Sequence, residues 1–300
     1  MVSVINMSSR RAARAESLTA YTLLAPSLVG VCLFLLLPVL VVFWLSLNRW
    51  DLLRPMQFVG LENWTSVLGD SSFGHTLLVT LAFVAMVIPL QTALGLLMAV
   101  LLTKGLPGSA VFRVIYVIPW VCAPLALGIV WQWIFAPFDG ALNTILGVNI
   151  AWLSNPDLAL PAVAAVSIWS QVGYVALFFM AGLSGIPKQV VEAAEVDGAS
   201  PWQTFWQIKI PLLAPTFFFV LVTGIIASFQ AFDTIWALTP NGGPQGATDV
   251  IATRIYLEAF RGAFDLGRAS VMAVILFAIL VVVTVVQQRW FSKRVTYDLS

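Results

Sequence analysis

Six long runs of the sequence contain no charged residue, and these runs constrain the fold more than any other feature. Each run is close to or longer than the roughly 20 residues that a helix needs to cross a bilayer. They lack strand-type alternation, so only helices can satisfy the backbone in lipid. The sequence therefore predicts an all-α integral membrane protein with six transmembrane helices. The runs are 17–48, 76–103, 114–138, 158–187, 210–232 and 269–288.

The composition agrees, since 60% of the 300 residues are hydrophobic and 10% are charged, against roughly 25% charged in an average soluble domain. The net charge of +1 gives no pull towards nucleic acid. Cys32 and Cys122 lie in apolar runs and are expected to be core residues. His75 is the single histidine, so a histidine metal cluster is excluded. We expect no metal site and no catalytic residue.

Both ends of the chain are predicted to be short cytoplasmic tails, 1–16 and 291–300, around a transmembrane domain at 17–290. A cleaved signal peptide is disfavoured because the first uncharged run is far longer than the roughly 7–15 residues of a signal core. Pro26 and Pro38 are expected to bend or break this first helix, so that it begins with a piece lying on the membrane.

Lysine and arginine positions predict the orientation, because positive charges concentrate on the cytoplasmic side. With the N-terminus inside, ten basic residues fall inside and five fall outside. Both termini and the segment 187–211 are therefore expected to be cytoplasmic. The inside residues are Arg10, Arg11, Arg14, Lys104, Arg113, Lys188, Lys209, Arg289, Lys293 and Arg294, and the outside residues are Arg49, Arg54, Arg254, Arg261 and Arg268.

The segment 187–211 is a polar stretch between two apolar runs, and its residues predict a helix, a turn and a second helix. Glu192 and Glu195 would share one face of the first helix. Gly198 suits a left-handed turn at its end. Ser200 suits the N-cap of the second helix, because it is followed by a proline that fits the first helical position.

The same segment resembles the cytoplasmic loop of permease subunits of bacterial ABC importers, in which Glu-Ala-Ala, Asp-Gly and Ile-x-x-Pro recur at fixed spacing. The family usually has Leu where Ile210 stands. The resemblance implies that the loop is a coupling helix that docks into a groove on an ATP-binding subunit. The competing interpretation is an amphipathic helix that lies on the bilayer. The residues that carry the resemblance are Glu192, Ala193, Ala194, Asp197, Gly198, Ile208 and Pro211.

Two further stretches, 58–64 and 232–244, resemble the maltose-type, binding-protein-dependent sugar permeases, although the second has one extra residue before its glycines. Within that family the chain resembles actinobacterial, including mycobacterial, sugar or amino-sugar permeases. The resemblance implies a multi-pass subunit of the bacterial cytoplasmic membrane. It also implies four kinds of partner: a second permease, two copies of an ATP-binding subunit, an extracytoplasmic solute-binding lipoprotein and the lipid bilayer.

No lysine completes the phosphate-binding loop Gly-x-x-x-x-Gly-Lys-Ser/Thr. The chain is therefore expected to bind no cofactor and to be no enzyme, with ATP and Mg bound by the partner ATPase. The residues before the four lysines are Thr103, Pro187, Ile208 and Ser292.

Asp233 is expected at the outer end of the fifth span, where a carboxylate can face a water-filled path and hydrogen-bond sugar hydroxyls. It can equally cap the helix or pair with Arg254 or Arg261. Sugar sites combine amides or carboxylates for hydroxyls with aromatic faces for the ring. The candidate pathway residues are Asp233, Gln230, Trp131, Trp133, Trp169, Gln171 and Tyr174.

Gln91, Gln132 and Asn143 are also polar residues in or near the spans, and most such residues hydrogen-bond a neighbouring helix. The sequence thus predicts half of the translocation path of an importer for a sugar or sugar-derived solute. A glycerophosphodiester or glycerol-phosphate solute is the alternative. A stand-alone secondary transporter is the rival class, but ion coupling calls for intramembrane charges, and the six runs have none.

Overall fold

The structure, a computed structural model, describes residues 20–105, 107–262 and 264–292. The predicted tail 1–16 lies outside the described residues, and the last helix extends two residues into the predicted tail 291–300. The longer helices are α1 Ala20–Ser46, α2 Glu62–Leu68, α3 Ser71–Thr103, α4 Ser109–Val121, α5 Pro124–Ile134, α6 Ala141–Leu146, α7 Pro156–Ser184, α8 Lys188–Val196, α9 Pro201–Leu212, α10 Ala214–Phe229, α11 Asp233–Leu238, α12 Ile251–Phe260 and α13 Leu266–Ser292.

The predicted helical membrane fold is confirmed. Helices α1, α3, α7 and α13 are each long and apolar enough to cross a membrane. The pairs α4–α5 and α9–α10 pass the same criterion only together, and they bend by 99° and 63°. The described residues thus hold six spans when each bent pair counts as one. Two of the predicted spans are therefore broken helices.

Prolines explain both breaks. Cys122 and Ala123 have extended backbone, with ψ of 148° and 124°, because the residue before Pro124 is biased away from the helical conformation. Leu213 separates α9 from α10, and Pro215 follows within the first turn of α10, where it cannot donate a helical hydrogen bond. Because of these breaks, the two helices of each pair point in different directions and contact different neighbouring helices.

The two prolines were expected to bend or break the first span, and the break is not found, because α1 is continuous through Pro26 and Pro38. A π-helical turn at Cys32–Leu36 precedes Pro38, and a wider turn accommodates the proline ring and its missing donor. A second π turn, Thr204–Lys209, precedes Pro211 in the same way. The prolines thus alter the local winding of these helices without ending them.

Helices α3 and α7 form the centre of the bundle, and small residues bring their neighbours close. A Cβ added at Gly95 of α3 would lie 2.4 Å from Val175 Cγ1. One added at Gly173 of α7 would lie 1.9 Å from the Tyr116 carbonyl oxygen of α4. Side chains at these glycines would force the helices apart.

The expectation that Cys32 and Cys122 are core residues is wrong, because both are exposed free thiols. Cys32 lies on α1, where no residue before Ser46 is buried in the described part. Cys122 lies at the α4–α5 break. An apolar run in a membrane helix presents part of its surface to lipid or to another subunit, so apolar context does not imply burial within one chain.

Two short strands, β1 Asn48–Arg49 and β2 Gln57–Phe58, form an antiparallel hairpin after α1. The buried Asn63 of α2 secures it, because its Nδ2 donates to the carbonyl oxygens of Ser46 at 3.0 Å and Asn48 at 2.9 Å. The segment 58–64 therefore anchors the end of the first span.

Candidate functional site

A cavity of about 380 Å³ lies among α3, the α4–α5 break, α7, α10 and the start of α11. Its lining has amide, hydroxyl and aromatic groups but only one charged residue, Asp233. Among the lining residues there is no lysine, arginine or histidine. The polar lining residues are Gln91, Ser167, Ser170, Gln171, Tyr174, Thr223, Ser228, Gln230, Asp233 and Thr234.

Asp233 is the first residue of α11 and is exposed to the cavity. Its carboxylate has no hydrogen bond or ion pair within the described residues. Arg254 instead pairs with Asp249, with 3.6 Å between Nη1 and Oδ2. The Arg261 guanidinium lies 5.9 Å from the centre of the Trp236 ring. The structural roles that were open for Asp233, capping or an ion pair, are therefore absent here.

Gln171 and Gln230 face the same cavity, and their side-chain amides also lack partners in the described part of the chain. The neighbouring hydroxyl of Ser170 behaves differently, because its Oγ donates to the Ser167 carbonyl at 2.9 Å. The two amides and the Asp233 carboxylate thus remain available to hydrogen-bond a solute.

The aromatic face of the cavity comes from Trp120 and Tyr174, whose rings stack with centroids 4.5 Å apart and planes 20° apart. Tyr174 was among the predicted residues, but Trp120 was not. Trp120 stands between Pro119 and Pro124, and this proline spacing is the signal that would have marked a break there. If the run 114–138 is assumed to be one straight helix, its sequence does not indicate that the Trp120 ring faces the path.

Trp131, Trp133 and Trp169 do not line this cavity. Trp131 packs against Trp169 and Phe135, with centroids 5.3 and 5.2 Å apart, and the side chain of Trp133 is 62% exposed. The 99° bend turns α5 away from α4. Four of the seven predicted pathway residues are therefore brought together and three are not.

Helix α5 instead packs on α11. The Gln132 amide donates to the Ala237 carbonyl at 2.6 Å, and a Cβ added at Gly128 would lie 2.2 Å from Ala237 Cβ. Gln132 thus makes the inter-helix hydrogen bond expected of most polar residues in spans. Gln91 differs, since it is 3% exposed, lines the cavity and lies against Gly224 of α10.

The loop between α7 and α10 has the predicted helix-turn-helix conformation. After α8, Gly198 has φ of +80°, a left-handed value that favours glycine. The Ser200 Oγ accepts from the Gln203 backbone N–H at 3.4 Å, and the Gln203 Oε1 accepts from the Ser200 N–H at 2.8 Å. This reciprocal capping box fixes where α9 begins.

The residues of the Glu-Ala-Ala motif present a charged surface. Glu192, Glu195 and Asp197 are exposed, whereas Ala194 is 7% exposed and packs inwards. None of the three carboxylates forms an ion pair within the described ranges. Ala193, Gly198 and Pro211 are also exposed, and Ile208 is half-buried. Most of the loop surface is therefore open to solvent.

Among the described residues, no group of three or more histidine, cysteine, aspartate or glutamate side chains could hold a metal ion. The two sites are thus a polar cavity inside the bundle and an exposed loop at one end of it.

Residues 91–297 match the family model described as the binding-protein-dependent transport system inner membrane component. The chain is 37% identical over 283 residues to the sn-glycerol-3-phosphate transport system permease protein UgpA of Brucella abortus, covering 93% of this chain and 96% of that protein. It is 36% identical over 282 residues to the UgpA of Agrobacterium fabrum, covering 92% and 96%. For the Escherichia coli UgpA the identity is 33% over 297 residues, covering 97% and 100%.

Solved structures share the fold. A chain of a bacterial ABC transporter that imports the acidic polysaccharide alginate superposes with a TM-score of 0.77 at 18% identity, covering 94% of this chain and 98% of that one. A bacterial alginate ABC transporter in complex with an alginate pentasaccharide-bound periplasmic protein gives a TM-score of 0.79 at 20% identity, covering 92% and 94%.

Proposed function

The chain belongs to the family of binding-protein-dependent transport system inner membrane components, and on that basis we propose that it forms half of the translocation path for a sugar or sugar-derived solute. It is a multi-pass inner-membrane permease subunit of an ABC importer, and ATP hydrolysis belongs to a separate subunit. The observation that carries the solute proposal is the cavity wall, where Gln171, Gln230 and Asp233 have no partner in the described chain beside the stacked rings of Trp120 and Tyr174.

A polyhydroxylated solute fits this wall for two reasons. Amides and a carboxylate accept and donate hydrogen bonds to hydroxyls, and an aromatic face suits the C–H side of a sugar ring. Asp233 also suits the ammonium group of an amino sugar, which stays part of the proposal. The closer resemblance to actinobacterial, including mycobacterial, permeases stays a prediction.

A glycerol-phosphate solute is the second candidate, and the similarity to sn-glycerol-3-phosphate transport system permease proteins favours it. A phosphate would need cations, because anion sites in proteins are built from arginine, lysine or backbone N–H groups. The lining of this cavity offers one carboxylate and no basic side chain. On this wall a neutral solute is therefore favoured over a phosphate, and a phosphate would depend on basic groups of the second permease.

For energy coupling, we propose that α8 and the turn at Gly198 dock on an ATP-binding subunit. The assembly would comprise this chain, a second permease and two copies of that ATPase, which bind ATP and Mg, together with an extracytoplasmic solute-binding lipoprotein. Both termini and the loop would then be cytoplasmic. The exposure of most residues of α8 and of the turn at Gly198 supports this proposal.

Replacement of Asp233 by Asn in the assembled importer tests the solute class. If the solute is a neutral or amino sugar, loss of a charged hydrogen-bond acceptor should lower uptake about tenfold or more. If the solute is a phosphate, removal of a repulsive charge should raise uptake. The measurement is uptake of labelled sugars and of glycerol phosphate into vesicles.

Asp157→Asn is the matched control, because Asp157 is exposed at the first turn of α7 and does not line the cavity. Copurification of the ATPase with both variants checks assembly. Equal uptake by Asp233→Asn and the unaltered protein for every solute would remove Asp233 from the path.

A further inference from the structure

A second cavity, of about 610 Å³, lies behind α8, on the side that faces the bundle. Its walls come from the end of α3, the end of α7, the inner surface of α8 and the middle of α9. It is separate from the translocation cavity, with which it shares no lining residue. The charged residues that line it are Lys104, Lys188, Glu192, Glu195 and Lys209.

Among the described residues, none of these five charged side chains has a partner of opposite charge. Lys188 and Glu192 are one helical turn apart, a spacing at which opposite charges often pair. No ion pair within 4.0 Å involves any of the five in the part of the chain that the structure describes. The three ammonium groups come from α3, α8 and α9, so a ligand in the cavity would be held from three sides.

The cavity lies at the level where a membrane span meets water. Two spanning helices end at its rim, at Thr103 and Ser184. The neighbouring helix α9 carries Trp202 and Trp206, which are exposed and contact each other with centroids 5.5 Å apart. Exposed tryptophans favour the membrane interface. A lipid headgroup and a small water-soluble molecule can therefore both reach the cavity.

We propose that this cavity binds a phosphorylated polyol, either as a free molecule or as the headgroup of an anionic lipid. Lysine ammonium groups bind phosphate as point charges, and Lys104, Lys188 and Lys209 supply three of them. Glu192 and Glu195 would repel a bare phosphate but accept hydrogen bonds from hydroxyls. A ligand with both phosphate and hydroxyl groups satisfies both kinds of side chain.

Such a ligand would link α8 to the end of α3, through Lys188 and Lys104. It would thereby restrain the motion of the loop against the bundle and tune the coupling of ATP hydrolysis to transport. This role rests on the proposed docking of α8 on the ATPase. The binding itself does not, and it is independent of which solute is carried.

The test is direct binding to the assembled importer, purified in detergent and stripped of lipid. Native mass spectrometry would follow the uptake of phosphatidylglycerol, with phosphatidylcholine as the neutral lipid. Calorimetry would follow the binding of glycerol phosphate. Lys188→Gln and Lys209→Gln should each weaken binding about fivefold, since a lysine near a membrane surface contributes about that factor.

Arg113→Gln is the matched control, because Arg113 lies near the same end of α3, donates to the Leu102 carbonyl at 3.3 Å and does not line this cavity. It should leave binding unchanged. Lysine-dependent binding of phosphatidylglycerol alone identifies a lipid site, and lysine-dependent binding of glycerol phosphate identifies a site for a soluble ligand.

If Lys188→Gln disturbs assembly, Lys104→Gln replaces it, because Lys104 lies on the far wall from α8. The proposal is overturned if phosphatidylcholine binds as well as phosphatidylglycerol, if Arg113→Gln weakens binding as much as the lysine variants do, or if no ligand shows lysine dependence. Solute uptake is not needed for any of these outcomes, so a failure of the proposed transport function would be recognised separately.

Discussion

At one end of the bundle several acidic and basic side chains of different helices pair with each other, whereas five charged side chains at the other end form no ion pair within the described residues. The first end, here called the Asp249 end, holds Asp70, Asp249, Arg254, Glu258 and Arg268. The second, here called the coupling end, holds Lys104, Lys188, Glu192, Glu195 and Lys209. The ion pairs Arg49–Glu62, Arg54–Asp51, Arg254–Asp249, Arg268–Asp70 and Arg268–Glu258 lie towards the Asp249 end.

The pairs at the Asp249 end connect separate helices. Arg268 of α13 lies 2.9 Å from the Asp70 carboxylate, which caps α3, and 3.0 Å from the Glu258 carboxylate of α12. Asp249 accepts a hydrogen bond from Thr76 of α3 at 2.8 Å. These charged side chains therefore connect α3, α12 and α13 within one chain.

The contrast between the two ends indicates that paired and unpaired charges have different roles in a subunit of an assembly. A charge that is paired within the chain stabilises the fold, and its removal leaves a partner uncompensated. An exposed charge without a partner contributes little to folding, so it is available to bind another molecule. We therefore expect substitutions at the Asp249 end to change stability, and those at the coupling end to change assembly and transport.

The largest effect is expected from Gly198→Asp, which should abolish uptake while the spans remain inserted. A side chain at this left-handed position adds bulk to the docking surface and about 1 kcal/mol of backbone strain. The measurement is copurification of the ATPase beside solute uptake. Gly60→Asp is the matched control, because Gly60 also has positive φ and open space around it but lies near the Asp249 end.

Gly60→Asp should cost similar stability but leave ATPase binding intact. Normal ATPase binding and transport by Gly198→Asp would show that this loop is not the coupling element. The coupling end would then have no demonstrated role in binding the ATPase.

Arg268→Met should have the next largest effect, a loss of about 2–3 kcal/mol of unfolding free energy. It leaves two carboxylates without a cation, and the Arg268 side chain is only 22% exposed. Thermal unfolding of the purified chain in detergent measures it. Arg54→Met serves as the control, because the Arg54 side chain is 87% exposed, and it should not change the midpoint. Equal midpoints for both variants would contradict the structural role of Arg268.

The two ends also differ in how far the sequence predicted them. At the coupling end, local chemistry was sufficient, because Gly198 and Ser200 act on their own backbone neighbours. At the Asp249 end, the partners are far apart in sequence, as Thr76 and Asp249 are. No local sequence pattern predicts a contact between residues so far apart. Asp249 was therefore not identified as a buried residue from the sequence.

The sequence predicted the translocation cavity only in part. The uncharged runs predicted six spans, and Asp233, Gln230, Gln171 and Tyr174 do share one cavity. Trp131 and Trp133 were grouped with them because they flank Gln132, but they do not line this cavity, since the run 114–138 bends by 99° between α4 and α5. The angle at a proline break depends on packing against other helices, which periodicity does not contain.

The carboxyl of Asp249 should have a smaller effect on stability than Arg268, and this effect should depend on pH. Burial raises the pKa of its carboxyl above the ordinary value of 3.8, against the hydrogen bond from Thr76 and the positive charge of Arg254. The folded chain therefore holds this proton more tightly than the unfolded chain does. The resulting stability is fully present below pH 3.8 and is lost as the pH rises through the folded-state pKa.

Thermal unfolding across a series from about pH 4 to about pH 7 should thus show a decline in the unaltered protein that Asp249→Asn lacks, because asparagine does not titrate. Asp157→Asn, at an exposed position of the same end, should follow the unaltered protein. Parallel profiles for Asp249→Asn and the unaltered protein would mean that the buried carboxyl stays ionised in the folded state.

Glu192→Gln should have the smallest effect on stability and therefore sharpens the comparison most. Glu192 is exposed and forms no ion pair with Lys188, one turn earlier, in the described chain. Since such a pair on a helix contributes only about 0.3–0.5 kcal/mol even when it forms, the unfolding midpoint should not move. If the Glu192 carboxylate itself contacts a basic group of the ATPase, however, ATPase binding should weaken several-fold and more steeply at low salt, where interface charges act most strongly. Titration of the ATPase onto the reconstituted permease pair at two salt concentrations measures this. A variant that loses stability instead, with ATPase affinity unchanged at both salt concentrations, would place Glu192 with the paired charges of the Asp249 end and remove the distinction between the two ends.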